Sequence, residues 1–234
     1  MLRAYLYLAV FIPLTFLFAA SAIVWTLLDR SGRAYAFHSR LWARLSLAMA
    51  GARITLRGTE HLPDGPVIFM SNHQSNFDIL ALEASMPRRI YWIAKKELFD
   101  IPVFGPSMRR GGYIPLDRSD GRKALKSMEN AARIIRTGKS VVMFPEGTRS
   151  KDGNLLPFKR GGFLLALRAG VPVMPVTING SGRINPAGRI RLYRGNIAIT
   201  LHPPLTIPQN LPKDETESQL MAQVRDTISA ALEH

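Results

Sequence analysis

The sequence predicts an α/β domain, a sheet covered by helices, set behind an N-terminal membrane-associated segment of two helices. Three observations carry that prediction. The chain opens on a long apolar run without charge, continues into a basic stretch with helical spacing, and from about Arg53 alternates short apolar runs with helical ones. The division falls at about residue 50, with 1–50 as the membrane-associated helices and 51–234 as the globular domain.

The first element spans Ala4 to Leu28, which holds no charged residue. About 20 apolar residues cross a bilayer as a helix, so the run is long enough. Tyr5, Tyr7 and Trp25 stand near its ends, where amphipathic rings favour the interface. A secretory signal with a site at Ala20-Ser21-Ala22 fits less well, because the apolar run continues past it. Residues 33–49 form the second helix: Tyr35, His38, Leu41, Trp42, Leu45, Ala48 and Met49 recur at helical spacing, with Arg33, Arg40 and Arg44 mostly elsewhere on the wheel. Such a helix either lies in the headgroup plane or packs on the domain. The two helices read as a span followed by a surface helix, or as a hairpin within one leaflet. If the first helix spans, the flanking arginines, Arg30 and Arg33 onward, put the rest of the chain in the cytoplasm, and the expected location is the inner membrane with the domain facing the cytoplasm.

In the domain, strands are expected at 53–57, 66–71, 90–94, 140–144, 172–178 and 196–202, and helices at 77–86, 121–137, 160–169 and 215–232. Gly138 and Gly170 supply helix stops before the strands that follow them. Pro172 and Pro175 put the 170s strand at a sheet edge bordering a cleft.

Composition narrows the function. Lys plus Arg total 31 against 17 acids, a formal +14, which calls for an anionic partner. Aromatic residues do not interleave with the basic ones as a stacking platform requires, so nucleic acid is not expected. The chain has no cysteine, which excludes disulfides, thiolate metal sites and a cysteine acyl-enzyme. No metal site is expected, since His73 has no second ligand at suitable spacing.

Two loops carry chemistry. In Asn72-His73-Gln74-Ser75-Asn76-Phe77-Asp78 the His and Asp are five apart, about 140° on a helix and on opposite faces of a strand. They meet only if the chain turns between them, and the sequence offers that turn between a strand ending near Ser71 and a helix starting near Asp78. His73 is then a general base and Asp78 the carboxylate that orients it. In Phe144-Pro145-Glu146-Gly147-Thr148-Arg149-Ser150, Gly147 frees the backbone and Arg149 suits an anion, while Glu146 holds the loop or positions the arginine. A third segment, Gly112 to Arg118, is uninformative by itself, and a fourth, Val171 to Val176, carries the two prolines of the 170s strand.

In this order the four segments resemble the motifs of the glycerolipid acyltransferase family. Asn72, His73 and Asp78 match its N-H-x4-D; Gly112 to Arg118 match the second motif, apart from Pro115; Phe144 to Ser150 match F-P-E-G-T-R-S throughout; Val171 to Val176 match the fourth. Phe158-Lys159-Arg160-Gly161 is similar to a basic segment that follows the third motif. The resemblance covers roughly residues 50–205 and implies a single domain of glycerophosphate-acyltransferase type, with a mixed β-sheet covered by helices. It implies acyl transfer from a thioester to the 2-hydroxyl of lysophosphatidate, giving phosphatidate, with His73 and Asp78 catalytic. It assigns the acceptor phosphate to Arg149, Glu146, Gly147, Thr148 and Arg118, and the oxyanion or acyl-site border to Pro172 and Pro175. The expected partners are membrane lipids and a thioester of acyl carrier protein or coenzyme A; these thioesters are co-substrates, and no bound cofactor is expected. Two alternatives remain, a related acyltransferase with another lyso-lipid acceptor such as lyso-ornithine lipid, and a non-catalytic basic membrane-binding protein.

Overall fold

The computed structural model describes residues 1–29, 31–117, 119–208 and 212–233, so Arg30 and Arg118 lie outside it. Two long helices come first, α1 (Leu2–Leu28) and α2 (Arg33–Ala50). They run antiparallel: Ser21 Oγ meets His38 Nε2 at 3.1 Å, and Trp42 Nε1 donates to Thr15 Oγ1 at 3.0 Å. The hairpin does not stand away from the domain. Arg3 at one end of α1 donates to the carbonyls of Ala50 and Leu192, and Arg89 donates to Ser31 O at the other end. The basic residues of α2 are partly spent inward. Arg40 and Arg44 donate to the carbonyls of Met86 and Ala84, at the C-terminus of the helix that α2 covers. The outer face of α1 stays apolar and exposed, with Leu6, Val10, Leu17, Val24 and Leu28 uncovered.

The domain alternates as expected: β1 (Ala52–Arg57), β2 (Ile68–Ser71), α3 (Phe77–Ser85), β3 (Tyr91–Lys95), α4 (Phe104–Arg110), β4 (Ile114–Leu116), α5 (Gly121–Arg136), β5 (Val141–Met143), α6 (Gly161–Ala169), β6 (Val173–Asn179), α7 (Ser181–Ile184), β7 (Gly195–Leu201) and α8 (Lys213–Ala230). The strands form one sheet in the order β1-β7-β6-β2-β5-β3-β4. Every neighbouring pair is parallel except β6 with β7, so the sheet is mixed.

The central strands β2, β5 and β6 are buried on both faces, and their side chains alternate between two cores. Phe69 and Val142 join Leu47, Phe77 and Leu80 beneath α2 and α3. Ile68, Met70, Val141 and Met143 join Ile135, Phe163, Leu165 and Val224 beneath α5, α6 and α8. Each fully buried residue of this size contributes about 1.5–3 kcal/mol.

Three elements escape the sequence pattern. β4 has three residues and a proline, which its edge position tolerates. α4 carries Gly105 and Pro106 in its first turn, and α7 is a single turn. One expectation is overturned: β6 is central, between β7 and β2, and not at a sheet edge. Pro175 is accommodated because the antiparallel register slips by one residue beside it. Val176 pairs with Leu201, yet Val173 bridges Leu205. The Pro175 carbonyl still accepts from His202 N at 3.0 Å.

Candidate active site

The C-terminal ends of β2, β3, β4 and β5 converge on one edge of the sheet, the usual location of sites in open α/β sheets. β2 ends at Ser71 and α3 begins at Phe77, so the chain turns between His73 and Asp78. His73 Nδ1 lies 2.7 Å from Asp78 Oδ2. The same carboxylate oxygen accepts Gln74 N at 2.8 Å and Ser75 N at 2.9 Å. Asp78 is fully buried, and these donors replace the water that Oδ2 gives up, while Oδ1 is buried with no partner among the described residues. A carboxylate only accepts, so the proton sits on Nδ1 and the lone pair on Nε2. The imidazole stacks on Phe144, with centroids 3.8 Å apart and planes at 8°. Ring rotation is thereby blocked from two sides.

The backbone of His73 is held as firmly as its ring. Its N–H donates to Glu146 Oε1 at 2.7 Å, and its carbonyl accepts Ser150 N at 2.8 Å. Glu146 Oε2 accepts Leu156 N at 2.8 Å. Burial pushes the Glu146 carboxyl above its ordinary pKa, while the amides of Leu156 and His73 pull it down. Both oxygens are occupied by amides, so Glu146 is a loop-holding residue and not a phosphate ligand. Asn72 splices β2 to its neighbour, accepting from Ile178 N at 2.7 Å and donating to Ile178 O at 2.8 Å.

Of the other expected residues, Gly147 has φ +72° and lies against the Lys159 side chain. Thr148 is exposed, and Arg149 is half-buried with no ion pair or hydrogen bond among the described residues. Arg149 precedes Ser150, whose amide donates to the His73 carbonyl, so the Arg149 backbone adjoins the His73 loop, although Arg149 does not itself line the cavity at His73. Arg160 is not available to an anion, because it forms a two-pronged pair with Glu217 at 2.6 and 2.8 Å. Pro172 and Pro175 do not reach the site. Pro172 O accepts Ile68 N at the start of β2, the end of the sheet opposite His73. Neither proline lines the cavity that opens beside His73.

That cavity, about 350 Å³, begins at His73, Phe144 and Gly147 and runs beneath the helical hairpin. Phe18, Ala19 and Ala22 of α1 and Trp42 of α2 wall it on one side, Phe104 and Met108 of α4 on another. Lys95 also lines it; neighbouring Lys96 is engaged with Asp117 at 3.1 Å. Deeper in, a buried carboxylate interrupts the apolar wall. Glu83 accepts Ser39 Oγ at 2.6 Å, Trp92 Nε1 at 2.8 Å and Tyr113 O–H at 3.3 Å. Burial raises its pKa. Sequence reading missed Lys95, Phe144 as a stacking partner, and Glu83. Only Lys95-Lys96 carried a local signal, a cationic pair closing an expected strand.

A family model described as Acyltransferase matches residues 53–179, more than half of the chain and both loops of the site. A 1-acyl-sn-glycerol-3-phosphate acyltransferase of Pseudomonas aeruginosa is 33% identical over 228 residues, covering 91% of this chain and 88% of that protein. The chain belongs to the acyltransferase family. A chloroplastic 1-acyl-sn-glycerol-3-phosphate acyltransferase of Brassica napus is 40% identical over 183 residues, 76% of this chain and 53% of that protein. The chain thus spans about half the length of the plant relatives it matches. The crystal structure of the 1-acyl-sn-glycerophosphate acyltransferase PlsC from Thermotoga maritima superposes with a TM-score of 0.84 at 25% identity, covering 99% of this chain and 94% of that one. The acyltransferase likeness therefore extends to the N-terminal hairpin, outside the residues that the family model matches.

Proposed function

We propose that this protein transfers an acyl group from a soluble thioester to the 2-hydroxyl of lysophosphatidate, forming phosphatidate at a membrane surface. One observation carries the reading: a base oriented by a buried carboxylate, its free nitrogen at the mouth of an apolar cavity roofed by a membrane-type helix. His73 Nε2 removes the hydroxyl proton as the oxygen attacks the thioester carbonyl. The tetrahedral intermediate collapses, the carbon–sulfur bond breaks, and the imidazolium returns the proton to the departing thiolate. An ester and a free thiol result. A thioester is already activated, so direct attack suffices, and the absence of cysteine agrees with it. The acyl chain of the donor, a thioester of acyl carrier protein or coenzyme A, occupies the cavity. Arg149 and Lys95 take the acceptor phosphate.

The hairpin supplies the acceptor. With both ends of α1 tied to the domain and its outer face apolar, the helix suits burial along one leaflet better than a crossing. The cytoplasmic leaflet of the inner membrane is the leaflet that soluble thioesters reach.

The decisive measurement is turnover by purified protein with a panel of lyso-lipids and acyl thioesters. Lysophosphatidate is expected to be the best acceptor; lyso-ornithine lipid outrunning it would overturn the reading. Arg149→Ala is expected to raise the acceptor KM roughly ten- to a hundredfold with little change in kcat, the weight of one charged hydrogen bond.

A further inference from the structure

Between Asp152 and Asp214 the sequence contains no acidic residue. Within that stretch the loop from α7 to β7 reads Arg189-Ile190-Arg191-Leu192-Tyr193-Arg194. Leu192 is buried, and the five residues around it are exposed. Ile190 is 51% exposed and Tyr193 47%, large apolar surfaces set among three guanidinium groups. None of the three arginines forms an ion pair among the described residues.

The loop is built, not slack. Tyr193 N donates to Ile184 O at 2.8 Å, Asn185 Nδ2 donates to Arg191 O at 2.9 Å, and Ser75 Oγ donates to Asn185 O at 2.8 Å. Its position is the informative part. Arg3 Nη1 donates to Leu192 O at 3.5 Å, and the Arg194 stem lies over Gly51. The loop therefore flanks the open end of the hairpin, beside the exposed Leu2, Tyr5 and Leu6 of α1. An apolar helix face thus passes directly into a rigid strip of alternating arginine and apolar side chains.

We infer that this loop is a second membrane contact, one that reads charge: Arg189, Arg191 and Arg194 meet anionic lipid phosphates while Ile190 and Tyr193 enter the interface. Arginine suits this task because its planar fork binds phosphate oxygens in pairs. The hairpin offers apolar area, which neutral and anionic bilayers accept alike; the loop adds the dependence on lipid charge. The inference rests on the membrane reading above.

The test is binding of the full chain to neutral phosphatidylcholine vesicles and to vesicles that also contain phosphatidylglycerol. Wild type is expected to bind both, and the anionic ones more tightly, with the difference shrinking as salt is added. Arg189→Gln/Arg191→Gln/Arg194→Gln should bind neutral vesicles like wild type and lose up to roughly a hundredfold on anionic ones, about fivefold per arginine. The same number of charges removed from α5, Arg122→Gln/Lys123→Gln/Lys126→Gln, should cost far less. Equal losses from both variants would overturn the loop's role, because net charge alone would then account for the preference. Unchanged anionic binding by the loop variant, with slower turnover on an acyl carrier protein thioester, would also overturn it and make the loop a protein-docking site. Failure of wild type to bind either vesicle would sink the membrane reading itself. All three arginines are exposed, so an unchanged melting temperature is expected to accompany these results.

Discussion

Helix α3 carries two buried carboxylates five residues apart, and they do different work. Asp78 takes one side-chain donor and two backbone amides from the loop just before it. Glu83 takes three side-chain donors from three distant places: Ser39 of α2, Trp92 of β3, and Tyr113 just before β4. Asp78 therefore sits in a frame that its own loop supplies, with one imidazole proton left to hold. Glu83 is a junction between the hairpin and the sheet. Burial alone does not mark a catalytic carboxylate; the elements that its donors come from tell the two roles apart.

Substitution should separate them. Asp78→Asn keeps the shape but removes the charge that fixes the His73 tautomer. Turnover is expected to fall by about 10² to 10⁴, the range of general-base catalysis, with the melting temperature shifted less. Glu83→Ala should do the reverse. It strands the donors of Ser39, Trp92 and Tyr113, a loss of about 3 kcal/mol in denaturant unfolding, while His73 keeps its partners. If Glu83→Ala cost as much turnover as Asp78→Asn at a temperature where it stays folded, the division of roles would be wrong. Glu146→Gln tests a third carboxyl that falls between the two. An amide cannot accept from both His73 N and Leu156 N, so a loss of about 1–3 kcal/mol is expected. Turnover should fall with it, through the His73 backbone.

The same contrast explains what could be read from the sequence. The His73–Asp78 contact was legible because everything it needs lies within seven residues: a strand end, a polar turn and a helix start. The Glu146 clamp was only half legible, since its partners are amide groups that no residue type announces, one of them 73 positions away. Glu83 reads as an ordinary polar residue in an apolar helix, because each of its donors arrives by tertiary folding. Pro175 misled for a related reason. Proline does mark an interrupted ladder, but here the interruption is a register slip against β7 inside the sheet and not an edge. Arg40 and Arg44 of α2 look like headgroup contacts on a helical wheel, yet α3 offers them unpaired carbonyls first.

The smallest effect is the most specific to Glu83. Burial raises its pKa in the folded protein, with Ser39, Trp92, Tyr113 and the charge of Arg40 opposing the shift. A raised pKa means that the folded state holds the proton more tightly than the unfolded chain. The resulting stabilisation is complete below the ordinary glutamate value of 4.5 and is lost as pH rises through the folded-state pKa. Wild type should therefore lose stability as pH climbs from the ordinary glutamate range upward. Glu83→Gln never ionises, and its amide oxygen can serve Trp92 and Tyr113 while its amino group faces the Ser39 hydroxyl. Melting temperature against pH should slope less steeply in this variant, and not become flat, because Glu146 is shifted in the same direction. Asp78→Asn gives the matching control: its largest signature should stay in turnover. Parallel melting curves for wild type and Glu83→Gln would mean that Glu83 does not titrate over this range. The junction would then rest on its hydrogen bonds alone.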